Sequence, residues 1–534
     1  MSALPLGTTR KSAASNVGFV LELMAGAFVA ALVLVAGNGK IVLAFAAPLG
    51  LLLMVAIWKL PMRTTVLGLL FLMWTADYLP EAPQSNMWQS PLYPIGQFLF
   101  LNLSALTGVS ALRVPGLDFT VVVLILIALY RRATRSTIDE KTPSVRTLSL
   151  LLVLQLITVV LLDLWGVNTS VPVVNADGVA IALPRQGDFN ESLWQLRQLL
   201  LMPLFAFLML YAFPGKPADL KQIAKVAITA ACVKSFVGLF FLYYFVRGSG
   251  FPVEYTTSHA DTLLFVPLLA MQFAWMLEKK SIQTYRDLLK WVPLVTWGMI
   301  ANDRRLAYVS LAGCLLTIVL MHPWSSAKRT LLRNLIIASP AILLYVIAGW
   351  NAPAESKVFF GSQLVKSLIK GDQAQAGADY RDIENFDVLY TWSENSFLPL
   401  GFGHKFEEPV KLPDISKAMP TYQYHPHNNI LWMWVIGGLF GFFGMFAPLV
   451  AAVFLAARSF RFATAPIDRV AALTVISMVI VHLNQCFGDM GTRNYFGSMG
   501  CALAMTVASK LAMRTGAWQS AASKTIDLRG SVPA

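Results

Sequence analysis

Long apolar runs separated by short polar stretches dominate this chain. A helix that crosses a bilayer takes roughly 20 apolar residues. Runs of about that length lie near 17–36, 41–58, 64–79, 117–130, 147–166, 193–213, 223–246, 260–277, 291–303, 305–321, 332–350, 429–456, 470–488 and 495–513. The pattern predicts about 12–14 transmembrane helices, fourteen if the short runs at 117–130 and 291–303 are counted. The stretch 95–112 is apolar but broken by Asn102, Ser104 and Gly108, and reads as a re-entrant or interfacial piece. The expected fold class is an all-α polytopic membrane protein.

One polar segment, 351–428, is long enough to fold by itself. Apolar positions at Val358, Phe359, Leu364, Val365, Leu368 and Ile369 predict an amphipathic helix over 355–370, lying at the membrane interface. A second helical pattern runs through 380–395. The run Pro399-Leu400-Gly401-Phe402-Gly403 then predicts a turn. The chain divides accordingly into N-terminal membrane helices (1–350), a large loop with short helices (351–428), C-terminal membrane helices (429–513) and a tail (514–534) expected to be disordered.

Composition agrees with the pattern. The chain has 534 residues, 56% hydrophobic and 13% charged, with mean hydropathy +0.60. Soluble domains carry about 25% charged residues. A net charge of +13 would suit a nucleic-acid binder, but its placement argues otherwise. Lys and Arg cluster at 10–11, 59–63, 131–146, 216–225, 279–290, 328–333, 458–469 and 510–514, and fourteen spans put every cluster on one side. Short cytoplasmic loops concentrate these residues, so both termini are expected in the cytoplasm and no nucleic-acid partner is implied. The loop 351–428 carries ten acids against seven bases and falls on the opposite face. Arg10 and Lys11 precede an apolar run too long for a cleavable signal. Cys232, Cys314, Cys486 and Cys501 all sit inside apolar runs without metal-ligand spacing, which predicts neither a disulfide framework nor a metal site.

Candidate chemistry concentrates where the long loop meets the next span, at His425-Pro426-His427-Asn428-Asn429. An imidazole is suited to proton transfer near neutral pH, and ionisable groups at a membrane helix default to a functional reading. His427 precedes Asn428 and Asn429, both good N-caps, so a plain anchoring role is the competing reading. Arg304 and Arg305 lie in a tight outer turn, against the positive-inside tendency. They imply either pairing with Asp303 or an anionic ligand such as a diphosphate. Arg381 sits among Asp379, Tyr380 and Asp382, where simple pairing competes with ligand binding. Gly437 and Gly441 have the spacing of close helix packing. There is no Gly-rich phosphate loop, no GxSxG elbow, and no acidic pair in a large cytoplasmic domain of the kind that holds a metal-bound nucleotide sugar. His482 and Asn484-Gln485 are the polar features that would suit a transporter instead.

These residues carry a resemblance. His427-Asn428, nine residues, then Gly438-Leu439-Phe440-Gly441 resembles the signature of the bacterial O-antigen ligases and the related O-antigen and exopolysaccharide polymerases. Leu400-Gly401-Phe402-Gly403-His404 resembles the segment those proteins carry upstream, and Arg304-Arg305-Leu306-Ala307 resembles the start of their central span, with Asp-Arg-Arg in place of Ser-Arg-Gly. The resemblance implies a GT-C-like glycosyltransferase in the bacterial inner membrane, working at its periplasmic face. It implies inverting, metal-independent and cofactor-free transfer from an undecaprenyl-diphosphate-linked oligosaccharide to a saccharide or lipid-linked acceptor. His427 would be the base, with Arg304, Arg305 and Arg381 on the diphosphate. His425, His404, Asn428 and Tyr380 would line the substrate. A polymerase, working with chain-length regulator and flippase partners, is the favoured reading. A ligase acting on lipid A-core, a lipid-linked-glycan flippase and a noncatalytic assembly component are the alternatives.

Overall fold

The computed structural model describes residues 55–76, 115–134, 143–174, 180–246, 259–279, 282–302, 304–353, 358–370, 375–394, 398–415 and 421–518, with a few single positions besides. The expected spans at 17–36 and 41–58, the piece at 95–112 and most of the 514–534 tail lie outside these residues or nearly so. The chain forms two compact units, one of residues 1–69 with 94–135, the other of 70–93 with 136–534, so that the division falls within the first described long helix.

Every other expected span is a helix. They are α1 (Met62–Thr75), α2 (Gly116–Thr134), α3 (Arg146–Asn168), α4 (Phe189–Ala212), α5 (Pro217–Phe240), α6 (Thr262–Glu278), α7 (Ile282–Ala301), α8 (Arg305–Met321) and α9 (Ser326–Gly349). The loop helices α10 (Phe360–Lys370) and α11 (Gln375–Glu394) follow, then α12 (Asn429–Phe462), α13 (Pro466–Gly488) and α14 (Tyr495–Arg514). Eight of the described helices are long and apolar enough to cross a membrane. The protein is an all-α polytopic membrane protein. It carries one feature the periodicity does not announce, a two-stranded antiparallel ribbon between α3 and α4. Its strands β1 (Ser170–Val174) and β2 (Ala180–Gln186) pair Ser170 with Gln186 and Val174 with Ala180.

The membrane helices of the second unit have two chemically distinct ends. At one, α6 finishes at Glu278, which holds His322 Nε2 at 3.1 Å from the end of α8 and Arg469 Nε at 2.9 Å from the start of α13. Arg514 at the end of α14 pairs there with Asp468. Lys216 and Lys279 cap helices at this same end, and Lys328 in the first turn of α9 donates from Nζ to His322 O at 2.9 Å, so these basic residues share one end of the unit. At the other end lie the starts of α4, α6, α8, α12 and α14, the end of α13 and the long loop.

The loop is locked to that other end by a break in a membrane helix. Gly438 in α12 has φ 56° and ψ −164°, far from helical values. The break frees backbone acceptors, which within an apolar layer must find partners. The Val435 carbonyl accepts from Leu400 N at 3.1 Å and that of Ile436 from Gly401 N at 2.9 Å. Phe402 N donates in turn to Leu162 O of α3 at 3.1 Å. The approach leaves no room for side chains: a Cβ on Gly166 would lie 2.1 Å from the Phe402 carbonyl, and one on Gly401, at φ 82°, would lie 2.4 Å from the Gly166 Cα. Beyond the break, Gly441 and Gly444 face Leu162 and Thr158 of α3, which is the close packing their spacing predicts. Gly437 has a different role, seated where α12 is interrupted and its Cβ position is crowded by Phe442.

Apolar side chains complete the joint. Phe402 and Trp432 are wholly buried, with Phe406 edge-on to Trp432 at 6.2 Å. Val388 of α11, Leu400 and Leu412 join them, so the loop and α3, α4 and α12 share one core. Each such side chain contributes roughly 1.5–3 kcal/mol. Helix α10 is held otherwise: Ser362 Oγ donates to Val346 O at 2.7 Å and Gln363 Nε2 to Gly349 O at 2.6 Å, fixing it to the end of α9.

Two substitutions test this joint. Gly438→Ala forces a side chain into a backbone conformation that L-residues avoid, at about 1–3 kcal/mol, so the melting temperature of purified protein should drop by several degrees while Gly68→Ala leaves it unchanged. Asp387 of α11 is fully buried, with Val410 N donating to its Oδ1 at 3.2 Å. Burial raises its carboxyl to about 6, the Val410 bond opposing and Glu408 and Glu384 adding to the rise. A carboxyl raised in the folded state binds its proton more tightly there than in the unfolded chain. Stability is therefore lost as pH climbs from about 4 through about 6. Asp387→Asn should raise the melting temperature by a few degrees at pH 7.5 and by much less at pH 4.5.

Candidate active site

Helix α11 presents Tyr380, Glu384, Asp387 and Thr391 along one face, at the three- and four-residue spacing that keeps side chains in register. That face meets the start of α12. Glu384 is 1% exposed and takes two bonds from one residue. The His427 backbone N–H donates to its Oε2 at 2.8 Å, and His427 Nδ1 lies 3.0 and 3.1 Å from its two oxygens. An ionised carboxylate only accepts, so this contact puts the proton on Nδ1. The Nε2 lone pair is then the reactive side of the ring, which is 23% exposed. Tyr380 stands edge-on to that ring at 5.8 Å. Burial, with the Glu384 charge adding to it, raises the Tyr380 hydroxyl well above its ordinary value, so it stays a neutral phenol.

The chain on either side of His427 is fastened to the turn between α13 and α14. Met490 N donates to the His427 carbonyl at 3.0 Å, with Met490 in the left-handed region at φ 55°. Asn429 Oδ1 accepts from Thr492 N at 3.0 Å and from its hydroxyl at 2.7 Å, while Asn429 Nδ2 donates to Pro426 O at 2.9 Å. Asn428 caps α12 by accepting from Leu431 N at 3.2 Å.

Beside Met490, Asp489 collects the positive charge of the site. Its Oδ2 lies 2.8 Å from His259 Nδ1 and 2.9 Å from Gln485 Nε2. Burial pushes the Asp489 carboxyl up. The His259 hydrogen bond and the charges of His259, Arg304 and Arg381 outweigh it, and the carboxyl titrates below its ordinary value. Two arginines distant in sequence, one before α8 and one on α11, therefore act on a single carboxylate one residue from the His427 contact. The turn carrying His259 is itself pinned by a buried pair: Asp261 Oδ1 lies 2.5 Å from Lys234 Nζ, which also donates to Ala76 O at 3.1 Å.

The structure thus sets Tyr380 against His427, with Arg304 and Arg381 close enough for their charge to act on the adjoining Asp489. Arg305 is the first residue of α8, beside Arg304 and partly exposed, while Asp303 lies outside the described residues. His425 is placed against α4, edge-on to Trp194 at 4.4 Å, with its Nε2 3.9 Å from Glu191 Oε2. His404 is placed apart, buried, with Nε2 donating to Gly166 O at 2.9 Å; burial lowers its pKa and that bond opposes the shift. Asn428 is buried as a cap rather than turned outward.

Three residues of the neighbourhood are not among the sequence candidates: Glu384, Asp489 and His259. Glu384 carries the faint signal of lying four residues beyond Tyr380 on a predicted helix. Asp489 is an acid in the short outer turn between the last two spans. His259 stands just before the apolar run 260–277, and nothing near it in the sequence marks a partner. His482, the polar hint within α13, is buried with Nε2 3.5 Å from the Cys486 thiol.

Residues 292–446 match a family model described as O-antigen ligase, and no curated protein matches the chain. The matched stretch contains Arg304, Arg381, Glu384, His427 and Gly438, and ends before Asp489. The stretch from α7 through the break in α12 is therefore similar to the O-antigen ligase family, a likeness that covers 292–446 of the chain.

Proposed function

We propose that this protein is an inverting, metal-independent glycosyltransferase of the bacterial inner membrane. Its donor is a glycan on undecaprenyl diphosphate, its acceptor another saccharide, and its working face is periplasmic. The observation that carries the reading is the His427–Glu384 pair beside a carboxylate under the influence of Arg304 and Arg381.

The chemistry follows from the groups present. An acceptor hydroxyl approaches the anomeric carbon of the donor sugar from the face opposite the diphosphate. His427 Nε2 takes its proton as the new C–O bond forms. Glu384, already bonded to Nδ1, stabilises the imidazolium that results. The bond between the anomeric carbon and the diphosphate oxygen breaks, and the electron pair leaves on the diphosphate. Arg304 and Arg381 stabilise that charge through forked N–H donors, with Arg305 next to them. Asp489 holds these guanidinium groups near the site and gives way to the stronger anion when substrate arrives. Positioned general bases contribute typically 10²–10⁴-fold.

The charged groups gather at helix ends rather than at mid-span. This arrangement favours an enzyme working at one membrane face over a transporter, whose ion sites lie near the midplane. Within the enzyme class, the large folded loop and the number of spans favour a polymerase. The family description favours a second reading, a ligase that delivers the glycan to lipid A-core.

Purified protein supplied with lipid-linked oligosaccharide, with and without lipid A-core, separates the two: elongation without lipid A-core is the outcome expected of a polymerase. His427→Ala should lower turnover at least about 100-fold while the protein keeps its elution profile and loses only a few degrees of melting temperature, since the backbone N–H still bonds Glu384. Glu384→Gln should lower it about 10–100-fold with a smaller effect on substrate affinity. Normal product from the His427→Ala variant would defeat the proposal.

A further inference from the structure

A cavity that His427 does not line lies among α5, α6, α13 and α14, with Trp74 also on its wall. Its volume is about 480 Å³, within the roughly 300–1,000 Å³ of sites that hold small ligands. The walls are mostly apolar, with Thr229, Gln272 and Thr474 as polar exceptions, from Leu264 and Met478 at the deep end to Ala471 near the mouth. The wall of α13 runs from Ile467 to Met478, about 17 Å at 1.5 Å per residue. One leaflet of a bilayer core is about 15 Å, half of roughly 30 Å. The groove therefore opens near the basic end of the bundle and runs about the length of one leaflet, its far wall at Leu264 lying in the first turn of α6.

The mouth differs from the walls. Lys221 and Lys225 line it from the first turns of α5, one helical turn apart and both exposed. Trp275 lines it near the end of α6, at the level where indoles settle between headgroups and acyl chains. An apolar channel of leaflet depth with two ammonium groups at its opening is complementary to one kind of molecule. We propose that this groove binds an anionic glycerophospholipid, an acyl chain lying along α13 and the phosphate held by Lys221 and Lys225. A bound lipid of this kind would join α5, α6 and α13 at the end opposite the His427 site and make the stability of the bundle depend on membrane composition.

Full-length protein in vesicles provides the test. Phosphatidylglycerol with a photoreactive acyl chain is compared with phosphatidylcholine carrying the same chain, and labelled peptides are mapped. The expected result is labelling of peptides within 220–229 and 467–478, stronger for phosphatidylglycerol by roughly thirtyfold, since each of the two surface lysines favours an anionic lipid by about 1 kcal/mol. Lys221→Glu with Lys225→Glu should bring the two lipids level, and Ala471→Trp should abolish labelling by filling the groove. The lysine pair is exposed, so it decides the matter even if Ala471→Trp does not fold. Equal labelling by both lipids in the native protein would overturn the proposal. So would a ratio unmoved by the lysine changes, or displacement of the probe by polyprenyl phosphate but not by phosphatidylglycerol.

Discussion

Two backbone carbonyls, those of Val435 and Ile436, fix the arrangement on which the rest of this protein depends. A membrane helix that breaks exposes such groups in a layer without water, where each unsatisfied acceptor costs several kcal/mol. Here the break at Gly438 is made good by the amides of Leu400 and Gly401. The long loop is thereby obliged to enter the end of the bundle. Gly166 gives it the space to do so, since any side chain there would collide with the Phe402 backbone. The same short piece of α12 that ends at the break begins with Asn429, only two residues beyond His427. Docking the loop and placing the imidazole are one event.

Once docked, the loop brings α11 across the start of α12, and a carboxylate from the loop meets a histidine at the membrane helix. Burying Glu384 costs free energy unless its oxygens are bonded; His427 supplies both an N–H from the backbone and one from the ring. The pair therefore has a fixed geometry and a fixed tautomer. Asp489 does the same for positive charge, since guanidinium groups at the edge of an apolar layer need an anion. The neighbourhood is assembled by the mutual need of opposite charges, drawn from several elements of the fold.

The sequence makes the helices plain because spans of apolar residues have no other use in a chain this hydrophobic. It makes His427 plain because an imidazole pair at the mouth of a span is unusual, and Asn428 because capping has a strong residue preference. It does not reveal Glu384, which is one of ten acids in the loop with nothing local to mark it; only the fold of the loop onto α12 gives it a partner. Asp489 is hidden for the same reason, its significance lying in the bond to His259 and in the charges of Arg304 and Arg381, which come from far along the chain. His404 shows the converse, a conspicuous residue whose surroundings give it a backbone carbonyl to hold. Gly438 carries the helix break although the glycine spacing draws attention to Gly437 and Gly441, because packing periodicity is visible along a sequence and a positive φ is not. The ribbon of β1 and β2 escapes notice because five to seven residues hold too little pattern to be told from loop.

The central claim is that Glu384 keeps the proton of His427 on Nδ1 and leaves Nε2 as the accepting atom. Solid-state ¹⁵N resonance of histidine-labelled protein in lipid bilayers, with the His427→Ala spectrum subtracted, reads this directly. The account predicts a protonated Nδ1 and an unprotonated Nε2 at pH 8 in the native protein, with that preference lost in Glu384→Gln. A native spectrum with the proton on Nε2, or one that the Glu384 change leaves untouched, would contradict it.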